Sequence, residues 1–349
     1  MKQLITGNRA IVLGALKAGC RFYAGYPITP ASEIMHDFAE LGSGKSSIAD
    51  LGKEKLTFIH AEDEIASAHM IIGASLAGCK AMTATSGPGF SLMQEAIGFG
   101  HMINTPIVIV DVQRVGPSTG MPTLCHQGDI LQSAHGSHGD YYPIVFYPNS
   151  VEECYIYAIE AFNAAEKAQC PVVLLSDAFL ARMYESIDLK DIKTKIASRV
   201  AKPFGSNNPS IHHTGLLSKN GIPKTVDSEY YREWIADYKK RVEKAASEFA
   251  FYEYVENKNA DTLIIAYGIT SRVVMDLKDK YSIFRPIRIY PVLDELKAIA
   301  KKYKHIVVVE MNNGQYVQEV ERLLKRDVKF IPQLGGNISL DRIKAELKK

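Results

Sequence analysis

Three carboxylates stand in a row at Glu62-Asp63-Glu64, directly ahead of the run Ile65-Ala66-Ser67-Ala68-His69-Met70-Ile71-Ile72-Gly73. Two readings are open. Negative side chains suit the positive end of a helix macrodipole, so the triplet can be ordinary N-terminal capping. Glu64, however, enters a helix that is apolar on nearly every face. Burial disfavours the charged form of a carboxyl, and a carboxyl in that setting can share a proton with a ring nitrogen.

Other candidate groups sit where apolar strands end, the edge at which open α/β sheets take ligands. In Gly25-Tyr26-Pro27-Ile28-Thr29-Pro30 two prolines stiffen the turn and hold the Thr29 hydroxyl in place. A rigid strand-to-helix turn explains the same residues. In Thr83-Ala84-Thr85-Ser86-Gly87-Pro88-Gly89-Phe90-Ser91 the glycines let backbone approach a ligand, and the next helix offers free N–H groups. A plain tight turn is the alternative; the spacing is neither a phosphate loop nor a dinucleotide fingerprint. Arg114, just past Asp111-Val112-Gln113, can clamp a carboxylate with its guanidinium fork, or form a structural ion pair with Asp111. Gln127-Gly128-Asp129 and His138-Gly139-Asp140 complete a loop-rich region. The spacing of His126, His135 and His138 matches no standard metal site, and no metal is assigned.

The elements that must position these groups alternate. Apolar runs at Phe22–Gly25, Phe58–His60, Ala81–Thr85, Pro106–Val112 and Pro171–Leu175 read as strands. Asn8–Ala18, Ser32–Leu41, Glu64–Ala77 and Ser91–Ile103 read as helices. Near-continuous apolar strands between helices imply a parallel sheet covered on both faces, an α/β fold. From Ser186 to about Ala260 the character changes. Pro203–Thr214 reads as loop, and Asp227–Glu256 as one long polar helix carrying the lone Trp234. A smaller α/β unit follows, with strands at Leu263–Tyr267, Ile287–Pro291, His305–Glu310 and Val328–Ile331 and helices between them. This divides the chain into 1–190, a connector at 191–258, and 259–349.

Composition sets the class. The 349 residues are 46% hydrophobic and 23% charged, which is globular, and the net charge of +2 gives no global reason to expect nucleic acid. Cys20, Cys79, Cys125, Cys154 and Cys170 form no C-x-x-C pair, so neither zinc nor an iron–sulfur ligand set is spelled out. Scattered thiols fit a reducing cytoplasm. Neither a signal peptide nor an apolar run of membrane-spanning length is expected.

Read in order, the segments form a set: G-N-x-A-I-x-x-G-A-L-x-A-G-C-R-F at Gly7–Phe22, Y-P-I-T-P from Tyr26, E-D-E-I-A from Glu62, M-T-A-T-S-G-P-G-F-S-L-M-Q-E-A from Met82, V-D-V-Q-R-x-G-P-S-T-G-M-P-T from Val110, and H-G-D at His138. The set resembles the pyrimidine-binding domain of the alpha subunits of thiamine-diphosphate-dependent 2-oxoacid:ferredoxin oxidoreductases, nearest the 2-oxoglutarate branch. Ile264-Ile265-Ala266-Tyr267-Gly268 and Val307-Val308-Val309-Glu310-Met311-Asn312-Asn313-Gly314-Gln315 resemble that family's second domain, of transketolase C-terminal-like fold.

The resemblance implies roles. Glu64 falls where the family's glutamate meets N1′ of the aminopyrimidine, driving the tautomer that deprotonates the thiazolium carbon for attack on the 2-oxo carbon. Thr29 and Arg114 fall at substrate-carboxylate contacts. Tyr26, Pro27, Ile28, Ser86, Gly87 and Pro88 line the cofactor. The reaction implied is CoA-dependent oxidative decarboxylation of a 2-oxoacid, with electrons passed to ferredoxin. Branched-chain 2-oxoacids, pyruvate, or a non-catalytic assembly role are the alternatives.

Two departures stand out. Leu124 occupies a position the family usually fills with a basic residue, so that cation for a second substrate carboxylate is missing. The diphosphate–Mg²⁺ motif, clustered cysteines and a CoA domain are also missing. The resemblance assigns them to separate beta and gamma subunits, with a ferredoxin-like delta as a further option. Thiamine diphosphate is then shared with a partner, the iron–sulfur clusters lie in partners only, and this chain alone is catalytically silent.

Overall fold

A computed structural model describes residues 2–42, 55–189, 192–206 and 213–349. The apolar runs of the first half form one sheet. Its order is Arg288–Tyr290, Ile144–Phe146, Val172–Asp177, Val108–Val115, Lys80–Thr85, Cys20–Gly25, Thr57–His60. The last six strands are parallel, as strands buried on both faces require. Every residue of Lys80–Thr85 and of Val172–Asp177 is buried. Met121–Cys125, read in the sequence as loop, adds antiparallel to Val108–Val115.

Helices cover both faces. On one, Gly7–Lys17 lies against Val151–Ala168. At Gly14 a Cβ would run into the Tyr155 carbonyl oxygen, so glycine is what permits that approach. On the other lie Glu64–Leu76 and Gln94–Met102. The stretch 192–206 is tied to the first lobe by the Arg199–Glu166 ion pair at 2.6 Å and by Lys80 Nζ donating to the Ala197 carbonyl. Residues 207–212 of the loop-like Pro203–Thr214 stretch, and residue 191 at the start of the connector, lie outside the described residues.

The second sheet has the order Tyr252–Val255, Ser282–Pro286, Thr262–Ile265, His305–Glu310, Lys329–Pro332, with the first strand antiparallel. Two sequence expectations change here. The long polar helix is Ser228–Ser247 and ends short of Glu256. The aromatic and β-branched residues of Tyr252–Val255 pair with Ser282–Pro286, where Tyr252 stacks on Phe284. The strand read at Ile287–Pro291 as part of the second unit is Arg288–Tyr290, and it pairs antiparallel with Ile144–Phe146 at the edge of the first sheet. Buried Ile289 and Tyr290 draw it there. They join a continuous apolar cluster that also holds Val145, Tyr147 and Val173 of the first lobe and Leu263, Ile265 and Phe284 of the second. No helix among the described residues is long and apolar enough to cross a membrane.

Candidate functional site

Strand alternation and register place Ala81, Thr83 and Thr85 on one face with Ile109, Asp111 and Gln113, and with Val173, Leu175 and Asp177. That face is apolar in mid-strand and turns polar at the carboxyl ends. Thr85, Asp111, Gln113 and Asp177 are all fully buried. Buried polar groups normally find partners. Gln113 does, donating to the Ser176 carbonyl and accepting from the Asp129 N–H at 3.0 Å. Asp177 accepts from the Tyr147 hydroxyl at 2.8 Å and from the Cys125 thiol at 3.2 Å. The Thr85 and Ser86 hydroxyls and both Asp111 oxygens have no well-formed hydrogen bond among the described residues. Unmet polar atoms at the carboxyl edge of a parallel sheet mark a place where something else is to bind.

The loop after Lys80–Thr85 turns directly into the helix Gly87–Leu92, with Ser86 at its N-cap and Pro88 in its first turn. Gly87 has φ +26°, and a Cβ there would meet nothing within 4 Å, so the loop opens onto free space. At Gly89 a Cβ would sit 2.5 Å from Glu64 Oε1 and collide with the Thr85 hydroxyl. The Glu64 carboxylate therefore lies directly against the glycine loop. Glu64 opens the helix Glu64–Leu76 and is 6% exposed. Its two acidic neighbours diverge from it. Asp63 caps the helix by accepting from the Ala66 N–H at 2.7 Å, and Glu62 is exposed.

Arg114 is buried and makes no ion pair among the described residues, so the structural ion pair with Asp111 is not formed. Its Nη1 donates to the Thr29 carbonyl at 2.5 Å, and its Nε has no partner. Thr29 thus meets Arg114 through its backbone; Tyr26 and Pro27 of the same turn are exposed, and Ile28 is half-buried. Gly87, Pro88, Ser91, Arg114, His126 and Asp129 line a cavity of about 640 Å³, closed on its far side by Asn312, Asn313 and Gln315 of the second lobe.

Asp129 lies in the electrostatic neighbourhood of Asp111, although neither Asp111 oxygen makes a well-formed hydrogen bond among the described residues. Burial, reinforced by the Asp129 charge, holds the Asp111 carboxyl well above the usual range. Burial pushes Asp129 up to about 6, against the pull of Asp111 and Arg114. Burial also lowers Arg114 and His126. The histidines separate: His126 lines the cavity, His135 lies 3.8 Å from Glu319, and His138 borders another hollow.

Sequence reasoning passed over the joint that closes the cavity. Fully buried Gln127 donates to the Tyr267 carbonyl at 2.9 Å and accepts from Thr270 at 2.7 Å and from the Met311 N–H at 2.9 Å. Asn312 Nδ2 donates to the Gln127 carbonyl at 2.7 Å and to Glu310 at 2.8 Å, while Gln315 Nε2 donates to the Gly128 carbonyl at 2.5 Å. Glu310 further accepts from the Tyr316 and Val317 N–H groups. The signal lay in two quoted motifs, Q-G-D and E-M-N-N-G-Q, but only the fold shows that they face each other.

Known proteins match both lobes of the chain. Residues 13–253 match the family model described as pyruvate flavodoxin/ferredoxin oxidoreductase, thiamine diphosphate-binding, and residues 260–341 match pyruvate:ferredoxin oxidoreductase core domain II. The 2-oxoglutarate synthase subunit KorA of Methanocaldococcus jannaschii is 40% identical over 96% of this chain and 96% of its own length. The solved 2-oxoglutarate:ferredoxin oxidoreductase of Magnetococcus marinus, with 2-oxoglutarate, coenzyme A and succinyl-CoA bound, superposes on 99% of this chain with TM-score 0.87 and 30% identity; this chain spans 65% of that one. A split-gene transketolase, at 12% identity and TM-score 0.56 over 98% of this chain, shares the fold alone. An α/β pyrimidine-binding lobe, a second lobe closing over its carboxyl edge, and these matches along nearly the whole chain place the protein in the thiamine-diphosphate-dependent 2-oxoacid:ferredoxin oxidoreductase family.

Proposed function

We propose that this chain supplies the pyrimidine-facing half of the active site of a 2-oxoglutarate:ferredoxin oxidoreductase, which converts 2-oxoglutarate and CoA to succinyl-CoA and CO₂ while reducing ferredoxin. The observation that carries this reading is the Glu64 carboxylate, buried and held against Gly89 of the loop whose Ser86 and Thr85 hydroxyls lack partners. Those unmet atoms and the open space at Gly87 fit the aminopyrimidine edge of thiamine diphosphate. When bound, that cofactor supplies the nucleophilic carbon and the electron sink for decarboxylation.

In this reading Glu64 shares a proton with N1′ of the pyrimidine, and Tyr26, Pro27, Ile28, Ser86, Gly87 and Pro88 line the cofactor. Arg114, with Thr29, orients the carboxylate beside the 2-oxo group. A guanidinium without an ion-pair partner suits that task, because it need not give one up to bind substrate. Partner beta and gamma subunits, with delta in some assemblies, hold the diphosphate, Mg²⁺, CoA and iron–sulfur clusters, and the complex works in the cytoplasm. The choice of 2-oxoglutarate rests on the 2-oxoglutarate synthase relative and the ligand-bound solved structure. The same reading divides the chain at residues 190 and 258, with Arg288–Tyr290 lent back to the first sheet.

The test is Glu64→Gln in the reconstituted complex. The amide keeps size but cannot share the proton, so turnover should drop by about 10²–10⁴-fold with assembly intact. Glu62→Gln and Asp63→Asn should leave turnover near the parent value. Equal damage from either neighbour would move the role to another carboxylate, and no damage from any of the three would reduce the cluster to a helix cap.

A further inference from the structure

The reaction proposed above leaves one end of its substrate unheld. 2-Oxoglutarate carries a second carboxylate a short carbon chain beyond the one beside the 2-oxo group, and a carboxylate taken out of water needs a donor. Leu124 is not part of the cavity wall. A Cβ at Gly336 would sit 2.7 Å from Leu124 Cβ, so this side chain packs against the second lobe instead. The amide side chains of the wall are mostly committed. Asn312 Nδ2 donates to the Gln127 carbonyl, Gln315 Nε2 to the Gly128 carbonyl, and Gln132 Nε2 to the Ser91 hydroxyl at 2.9 Å. Arg114 is given to the first carboxylate, and Asn313 stands exposed, where water competes for it. Asp129 on the same wall can only repel a second carboxylate when ionised, so the attraction must come from another group. His126 remains.

His126 lines the cavity and is half-buried, and its Nδ1 has no hydrogen-bond partner among the described residues. Nδ1 is enclosed by backbone. A Cβ at Gly128 would lie 2.6 Å from it, so glycine at 128 is what lets the chain close over that edge of the ring. An enclosed N–H without an acceptor is costlier than an enclosed lone pair, so the neutral ring carries its proton on Nε2, the edge Gly128 does not cover. Burial lowers the ring's hold on a second proton, so the neutral N–H donor is the form presented. The placement suits a short dicarboxylate. Arg114 is the ladder partner of Cys125, the residue before His126, and paired backbones lie about 5 Å apart. We propose that His126 is a specificity-determining residue, donating from Nε2 to the distal carboxylate of 2-oxoglutarate while Arg114 holds the carboxylate beside the 2-oxo group. The inference rests on the substrate and the Arg114 role given above. It adds the group that tells a dicarboxylate from 2-oxoacids lacking the second charge.

The experiment compares 2-oxoglutarate with 2-oxobutanoate, which lacks the second carboxylate, in steady-state turnover of the reconstituted complex. His126→Ala should raise KM for 2-oxoglutarate by roughly ten- to a hundredfold, the scale of one hydrogen bond to a charged group. Its kcat, and the KM for 2-oxobutanoate, should change little. His126→Gln, whose amide N–H reaches a similar point, should restore much of the loss. If His126→Ala does not assemble, His126→Phe decides, since it keeps a ring against Gly128 without the N–H and must show the same selective loss. Both KM values rising together with a lowered melting temperature would mean that His126 only packs the wall, and overturns the proposal. So does an unchanged ratio of the two KM values, or a selective loss from Asn313→Ala in place of the His126 variants. The parent complex separates this inference from the reading beneath it. A parent that does not prefer 2-oxoglutarate to 2-oxobutanoate removes the proposed substrate, whereas a parent preference that survives His126→Ala removes only the role of His126.

Discussion

A methyl group at Gly89 would occupy the space that Glu64 Oε1 and the Thr85 hydroxyl now fill. Gly89 lies inside the helix Gly87–Leu92, where alanine is the better helix former, so propensity alone favours the change. Packing opposes it, because Glu64 is buried and its carboxylate must move off the loop to make room. Gly89→Ala should therefore lower turnover of the complex by at least about tenfold while costing about 1–3 kcal/mol of stability at most. Normal turnover with Gly89→Ala, measured beside Glu64→Gln, would mean the carboxylate has no need of its place against the loop. At this scale the sequence was informative but undecided. It showed three acids in a row, and only burial separated Glu64 from the capping Asp63 and the exposed Glu62. Likewise Asp111 was visible as a candidate partner for Arg114, and only the fold shows that its oxygens form no such pair among the described residues.

Among the elements, the strands of the first lobe were legible because each is buried on both faces and so reads as an unbroken apolar run. Chain continuity misled where it crossed between lobes. The sequence reads as a strand at Ile287–Pro291 in the second unit and as none at Ser282–Pro286, yet Ser282–Pro286 belongs to the second sheet and Arg288–Tyr290 to the first. Nothing within a short window distinguishes the two halves, because the choice is made by the Ile144–Phe146 edge and its surrounding core. The lobe joint was hidden for the same reason: Gln127 and Met311 are distant in sequence, and their bonds are the consequence of two lobes docking. Gln127→Ala should strip partners from the buried Thr270 hydroxyl, Met311 N–H and Tyr267 carbonyl at once. Unmet buried groups of this kind are expected to cost about 2–4 kcal/mol together, read as a lowered melting temperature, with KM raised as the cavity wall at Asn312 and Gln315 loosens. An unchanged melting temperature would show that water replaces the side chain and that the joint is not held by Gln127.

For the molecule as a whole, Glu64, the Ser86-Gly87-Pro88 loop and Arg114 converge on the carboxyl edge of the sheet, and the sequence spells out no G-D-G diphosphate motif. The five cysteines stand singly: Cys20, Cys125, Cys154 and Cys170 are buried and Cys79 is exposed. Burial pushes the Cys20 and Cys170 thiols up to about 12, the opposite of what a thiolate ligand to iron needs. Purified chain should accordingly be colourless after anaerobic treatment with iron and sulfide, and it should turn over no 2-oxoacid. Its affinity for thiamine diphosphate should be weak, because the pyrimidine edge supplies only a few hydrogen bonds and the charged diphosphate carries much of the binding. Calorimetric titration of the cofactor, first into the chain and then into the chain mixed with its partner subunits, measures the difference directly. A brown chromophore on the chain alone, or cofactor binding that the partners do not strengthen, would show that this polypeptide holds more of the active site than its geometry provides.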